Sequence, residues 1–230
     1  MRVDSAEKTQ GNDSRLSLDI DGENGNTQKI KLGAGIRSQW YEETGTRFIV
    51  INYEYGESSD VKDTDKTFLH FRNIWYTGSD FSWEAYTQFE SNEFTRLKLR
   101  ALVGGGARWE VMQDKTQAAY LGLGLYRSKE KLDEVPLVTD AGVSYNNRLS
   151  SYFIYKYTIS DHARIANTVY YQPDFSEVSD YRLLEQFGLL MDITESLSFK
   201  LSLEVAHDSK PPQEIKQTDT SYKIGFEYSF

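Results

Sequence analysis

The chain has 230 residues, with 26 Lys and Arg against 35 Asp and Glu, no cysteine, and a net charge of −9. The acidic balance excludes a general nucleic-acid binder, which needs a basic footprint, and the missing cysteines exclude disulfides, thiolate metal sites, a cysteine nucleophile and a lipoprotein anchor. Mean hydropathy is −0.60 and no long apolar run exists, so no membrane-spanning helix is expected.

Aromatic residues reach 14% and prolines number only 4, a composition that points to strands. Residues 1–13 are polar and aperiodic and read as a disordered tail. No secretory leader is visible after Met1, so the chain reads as cytoplasmic or as a mature form with its leader removed. From Ser14 onward, apolar and polar residues alternate with the period of a two-faced strand.

In chain order the predicted strands are 15–21, 29–40, 46–56, 66–76, 81–90, 96–111, 117–126, 147–159, 163–171, 181–193, 197–206 and 221–230. The second shows the pattern plainly, with Ile30, Leu32, Ala34, Ile36 and Trp40 on one face. Helical spacing fits poorly; its best candidate is 128–135 (SKEKLDEV), expected as one helical turn in a loop. Most segments supply the roughly 9–11 residues that a tilted strand needs to cross a bilayer.

The connections alternate in length. Residues 41–45, 77–80, 113–115, 160–162 and 194–196 form short turns, whereas 22–27, 57–65, 91–95, 127–145, 172–180 and 207–220 are longer and charged. Such alternation marks an outer-membrane barrel, with short periplasmic turns and longer extracellular loops. Trp40, Trp75, Trp83 and Trp109 all sit beside the short turns, as an interfacial girdle requires, and Tyr53, Tyr55, Phe89, Tyr171, Tyr181 and Tyr222 form the second girdle. The expected fold is therefore all-β: a twelve-stranded antiparallel transmembrane barrel over residues 14–230, in contact with outer-membrane lipid and lipopolysaccharide. The alternative is a soluble sandwich with aromatic core.

The last strand ends at Phe230 with Tyr228, Phe226, Ile224 and Tyr222 on the same face. It resembles the C-terminal signal that bacterial barrels present to their assembly machinery. Three further stretches, GENGNT at 22–27, YEYGE at 53–57 and AHDSKPPQEIKQTDTSYKIGFEYSF at 206–230, resemble the YdiY-like family of salt-induced outer-membrane proteins, a domain of unknown function. The resemblance implies a barrel in a Gram-negative outer membrane, carries no established catalytic or ligand residues, and implies no cofactor.

If the apolar face meets lipid, the other face lines a lumen. Twelve basic residues take inward positions: Lys31, Arg37, Arg72, Lys98, Arg100, Arg108, Arg148, Lys156, Arg164, Arg182, Lys200 and Lys223. Seven acidic ones join them: Asp19, Glu54, Glu84, Glu110, Asp192, Glu204 and Glu227. The inner face then carries +5 and the remainder −14. Basic rings in a pore favour anions, so the expected function is a narrow porin-like channel for small anionic solutes, linked to salt or osmotic stress. Inward Gly104, Gly106, Gly122 and Gly124 leave room for a bore, unless aromatic neighbours fold over them. The alternative is a closed structural barrel whose charges pair across the lumen.

A third reading is enzymatic. His207 and Ser209 flank Asp208 and share one strand face, the minimum for a base-activated nucleophile. The arrangement is similar to the His-x-Ser pair of outer-membrane lipid A deacylases, but Lys210 replaces their following Asn, and Asp219 has the wrong parity for their carboxylate. His70 is expected as a lumen hydrogen-bond partner near Arg72, and His162 as a solvated turn residue. Loop carboxylates Asp60, Asp63 and Asp65, and Asp133, Glu134 and Asp140, have oxygen ligands for divalent cations but no recognised calcium-loop spacing.

Overall fold

A computed structural model describes residues 10–23, 29–134, 136, 138–140 and 142–230, with side chains described outside 21–29. Twelve antiparallel strands close into one barrel, each bonded to its chain neighbours and β1 to β12. They are β1 (Gly11–Glu23), β2 (Lys29–Glu42), β3 (Gly45–Ser58), β4 (Val61–Tyr76), β5 (Phe81–Asn92), β6 (Leu97–Gln113), β7 (Gln117–Leu132), β8 (Gly142–Ser160), β9 (Ala163–Pro173), β10 (Tyr181–Asp192), β11 (Leu197–Asp208) and β12 (Thr218–Ser229). All twelve predicted segments fall on these strands in order. The tail lies mostly outside the described residues, and β1 begins at Gly11, which pairs with Tyr41.

The alternating pattern works because a strand turns successive side chains to opposite faces. Leu18, Leu32, Ile51, Phe71, Val103, Leu121, Phe153, Leu203 and Phe226 all stand exposed on the outside. So continuous an apolar belt fits a lipid surround, since soluble monomers rarely expose patches beyond a few hundred Å². The four tryptophans sit at the short-turn rim of this belt. Trp75 pairs directly with Trp83, and Phe81 packs edge-on against Trp83 at 4.8 Å and Trp109 at 5.3 Å.

Two expectations about the loop end need correction. The predicted helical turn at 128–135 is strand through Leu132: Ser128 pairs with Asn146 and Glu130 with Ser144. Its Ser, Glu and Leu face inward and its lysines outward, so a charged two-faced strand mimicked a helix. The second concerns loop length. The expected 57–65 connection shrinks to the turn at Ser59 and Asp60, whose φ values of 52° and 61° suit the tight mirror-image hairpin turn. The 91–95 connection is one 3₁₀ turn, Glu93–Thr95, capped by the Asn92 side chain accepting from Phe94 N at 3.1 Å. The strands run past the belt as polar hairpins: β8 alone has 19 residues.

Candidate functional site: a half-filled lumen

One side of the barrel is filled. β4–β8 hold most of the buried residues, among them Ile74, Tyr86, Leu102, Tyr126, Tyr152 and Ile154. Arg72 and Glu84 form an ion pair at 3.3 Å in their midst. The Tyr152 hydroxyl donates to the same Glu84 oxygen at 2.8 Å. The Arg72 guanidinium also lies 4.8 Å from the Tyr86 ring centre and 5.4 Å from that of Tyr152, within cation–π range. His70 stacks among Phe48, Phe68 and Tyr86 and bonds Gln88 Oε1 through Nδ1 at 3.1 Å.

The inward glycines seat these rings instead of freeing a bore. A Cβ on Gly104 would meet Tyr86 at 2.6 Å, and one on Gly122 would fall inside the Tyr152 ring. Gly106 and Gly124 face each other across the β6–β7 ladder, where either Cβ would strike the other's backbone.

The opposite arc, β9–β12 with β1 and β2, carries small inward residues. Ala166, Gly188, Ser202, Ala206, Ser221, Gly225, Ser17, Gly33 and Gly35 hold inner register positions there. Open space faces Gly188, where a Cβ would meet nothing within 4 Å. A cavity of about 1850 Å³ lies inside the barrel, lined by residues of all twelve strands, Ala206 and Ser221 of this arc among them. Its lining includes Gln10, Asp80, Glu195 and Phe230 at the short-turn rim and Asp63, Asp180, Pro211 and Lys216 at the loop rim, so it reaches both ends.

Of the twelve predicted lumen bases, Lys31, Arg37, Arg72, Arg100, Arg108, Arg148, Lys156, Arg164, Arg182 and Lys223 line this cavity. Lys200 holds an inner position between Ser198 and Ser202, outside the cavity lining. Lys98 is a correction: a register irregularity between Leu97 and Leu99 turns it outward, where it pairs with Asp133 at 3.5 Å and is exposed.

The expected positive excess is also corrected. The lining holds fourteen basic and fifteen acidic residues. Arg15 pairs with Asp13 at 2.5 Å and Glu227 at 3.0 Å. Glu130 lies between Arg100, at 3.0 Å, and Arg182, at 2.8 Å, and Arg182 also reaches Asp208 at 2.9 Å. Arg164 holds Asp192 at 2.6 Å, and Arg148 holds Asp180 at 2.6 Å. Arg37 and Arg108 meet aromatic faces instead, Phe48 at 4.8 Å and Tyr120 at 3.9 Å. Sequence reasoning missed Arg15, Asp13, Glu90, Glu130 and Asp208. Arg15 shares its parity with Ser17 and Asp19 and was legible from alternation; Glu130 was hidden by the helical reading of its segment.

The β11–β12 loop crosses the loop-end mouth. On its near side, Ser209 N donates to Tyr181 O at 3.0 Å and Lys210 pairs with Glu177 at 2.5 Å. On its far side, Gln213 N donates to Asp140 Oδ2 at 2.7 Å, and Arg96 donates to Gln213 O at 3.0 Å and to Asp140 Oδ1 at 2.8 Å. Hydrogen bonds from Arg96 and the Gln213 backbone hold the Asp140 carboxyl below its ordinary range. Between these anchors, Pro211, Pro212, Glu214 and Ile215 line the cavity from above.

The His207–Ser209 pair is not assembled. Ser209 Oγ donates to Ser179 O at 3.0 Å and accepts from Tyr181 N at 2.8 Å. His207 Nδ1 bonds Thr218 Oγ1 at 2.8 Å, and its ring stacks on Tyr181. Three of the six loop carboxylates are held by bases: Asp65 by Lys62 at 3.3 Å, Asp133 by Lys98 and Asp140 by Arg96.

Among curated proteins nothing matches this chain. Among solved structures it is similar to the NanC porin, at 10% identity and TM-score 0.54, over 96% of this chain and 100% of that one. It is also similar to the translocator domain of the autotransporter NalP from Neisseria meningitidis, at 16% identity and TM-score 0.50, over 95% of this chain and 88% of that one. Both likenesses establish the fold, a closed barrel of the outer-membrane kind. Residues 16–230 match the family described as "Protein of unknown function, DUF481", and the chain belongs to it.

Proposed function

We propose that this barrel is a narrow diffusion channel of the outer membrane for small hydrophilic solutes. One observation carries the reading: a single cavity is lined at both rims and by residues of all twelve strands, although the inward side chains of β4–β8 pack part of the interior. Small barrels of ~8 strands are filled and porins of 16–18 are open; a half-filled barrel of twelve strands lies between. The wedge narrows the bore and stiffens the wall that frames it. In an envelope under salt or osmotic stress, a small bore limits solute loss while keeping exchange.

Selectivity by charge is weak in this reading. Paired guanidinium and carboxylate groups present dipoles to a passing ion instead of a net field. Arg37 and Arg108, which lack an ion pair among the described residues, leave a slight preference for anions. Planar-bilayer recording tests both parts. Conductance steps with a reversal potential close to zero in a salt gradient are expected. Absence of steps at every voltage ends the channel reading and leaves a closed structural barrel. Strong anion or cation selectivity ends the electrostatic part.

A further inference from the structure

The seam that closes the barrel is bonded over only part of its height. β1 and β12 pair from Arg15↔Ser229 to Asp19↔Gly225. Below, Ser14 and Phe230 exchange backbone hydrogen bonds of 3.4 and 3.0 Å. Above Asp19, residues 20–23 pair with β2 and residues 218–224 pair with β11. Among the described residues no pair joins these two stretches to each other.

The gap begins within the apolar belt, at the level of Ile20, Ile224 and Tyr222. Ile20 is 72% exposed and Tyr222 75%. Backbone direction makes the gap consequential. Phe230 N donates towards β1, whereas Ser229 N donates to Ser196 O on the β11 side. By alternation the amides of Ile224 and Tyr222 point into the gap. An open strand edge facing hydrocarbon has no hydrogen-bond partners and is not tolerated there; it persists where it borders water or polar ligand groups.

Just inside the gap the wall is basic. Lys31 of β2 lies 3.6 Å from Glu54, and Lys223 of β12 pairs with the other oxygen of the same carboxylate. Two ammonium groups thus share one carboxylate, which leaves room to bind one further monoanionic group. The axial exit at this end is meanwhile crossed by the β11–β12 loop.

We propose that the upper β1–β12 seam is a lateral portal that binds a single-chain carboxylate amphiphile. Its head group sits at Lys31 and Lys223. Its tail passes between Ile20 and the Tyr222–Ile224 edge to the outer apolar face. The inference rests on the water-filled lumen of the channel reading.

Two measurements on the full chain in lipid nanodiscs test it. Amide exchange by NMR is expected to show Tyr222 and Ile224 exchanging at least about 100-fold faster than Phe226 and Tyr228; equal protection overturns the portal. A palmitate with a diazirine beside its carboxylate is expected to label inner residues at the seam, such as Ser221 and Gly33. Lys31→Gln with Lys223→Gln should lower that labelling about tenfold, while labelling of the outer face at Phe153 stays constant. Labelling spread evenly over outward residues, or equal labelling by the methyl ester, overturns it as well. Conductance recorded on the same protein separates the two readings. A conducting barrel with protected Tyr222 and Ile224 keeps the channel and loses the portal; a silent barrel with fast exchange and inner adducts does the reverse.

Discussion

Arg72 of β4 and Glu84 of β5 meet diagonally across the ladder, in which Arg72 pairs with Tyr86 and Glu84 with Ile74, and their charged groups lie 3.3 Å apart and almost wholly removed from solvent. A buried pair of this kind is weak evidence of net stabilisation, because both ions lose their water. Breaking it is another matter. Glu84→Ala leaves the Arg72 charge buried and strips the Tyr152 hydroxyl of its acceptor. A loss of about 3–5 kcal/mol is expected, read as a lower urea midpoint for unfolding from lipid vesicles. A variant that unfolds like the wild type would mean that water already reaches Arg72, and the wedge would not be dry.

The glycines of the wedge make a sharper contrast. Gly122→Ala drives a methyl into the Tyr152 ring, so overpacking should cost about 1–3 kcal/mol. Gly188→Ala meets nothing and should stay within about 0.5 kcal/mol of wild type. Gly188→Tyr is expected to narrow the open arc and reduce single-channel conductance by roughly half, on the porin size logic. Equal conductance in the two Gly188 variants would place the permeation path elsewhere.

The architecture was legible because a barrel writes its two faces into the alternation: Leu18, Leu32 and Phe226 meet the outside, and Ser17, Lys31 and Lys223 the inside. Parity gives the face of a residue but not its neighbour across the lumen. Arg100 and Arg182 stand on strands four apart and meet through Glu130, a contact between residues far separated in sequence. That is why a count of inward charges suggested a cationic bore, while ten of the twelve predicted bases reached the cavity wall. Lys98 escaped parity because it sits in the register irregularity between Leu97 and Leu99, beyond which Arg100 and Arg108 keep the expected inward face.

The turn between β6 and β7 carries a pH-sensitive contact outside the belt. Asp114 Oδ1 accepts from Thr116 N at 2.7 Å and Gln117 N at 2.9 Å. The Thr116 backbone bond, then the Gln117 and Thr116 side chains, lower its pKa from 3.8 to about 2. A lowered folded-state value means that the contribution is fully present above the unfolded value of 3.8 and is lost as pH falls through about 2. A carboxyl-carbon NMR titration should place the Asp114 midpoint near that lower value, and Asp114→Asn should flatten the stability profile between the two. A midpoint at the ordinary carboxylate value would mean that the turn opens in solution.

The β11–β12 loop makes the last prediction, because its two anchorages differ. The near one includes backbone bonds that survive side-chain substitution; the far one converges on Asp140, which accepts from both Arg96 and Gln213 N. Asp140→Ala removes both acceptors at once and, among the described residues, leaves the Arg96 guanidinium the carbonyls of Asp133 and Gln213. The loop, which includes Glu214 at a φ of 68°, a strained backbone for a residue other than glycine, then loses part of what holds it down. Released loops of this kind move on microsecond to millisecond times, slower than single-ion passage. The recording should therefore show a larger mean current, roughly twofold, with added noise from the moving loop. Arg96→Lys keeps a charge near Asp140 but loses the forked geometry, and should fall between the wild type and Asp140→Ala. If all three proteins give the same trace, the loop does not control the mouth.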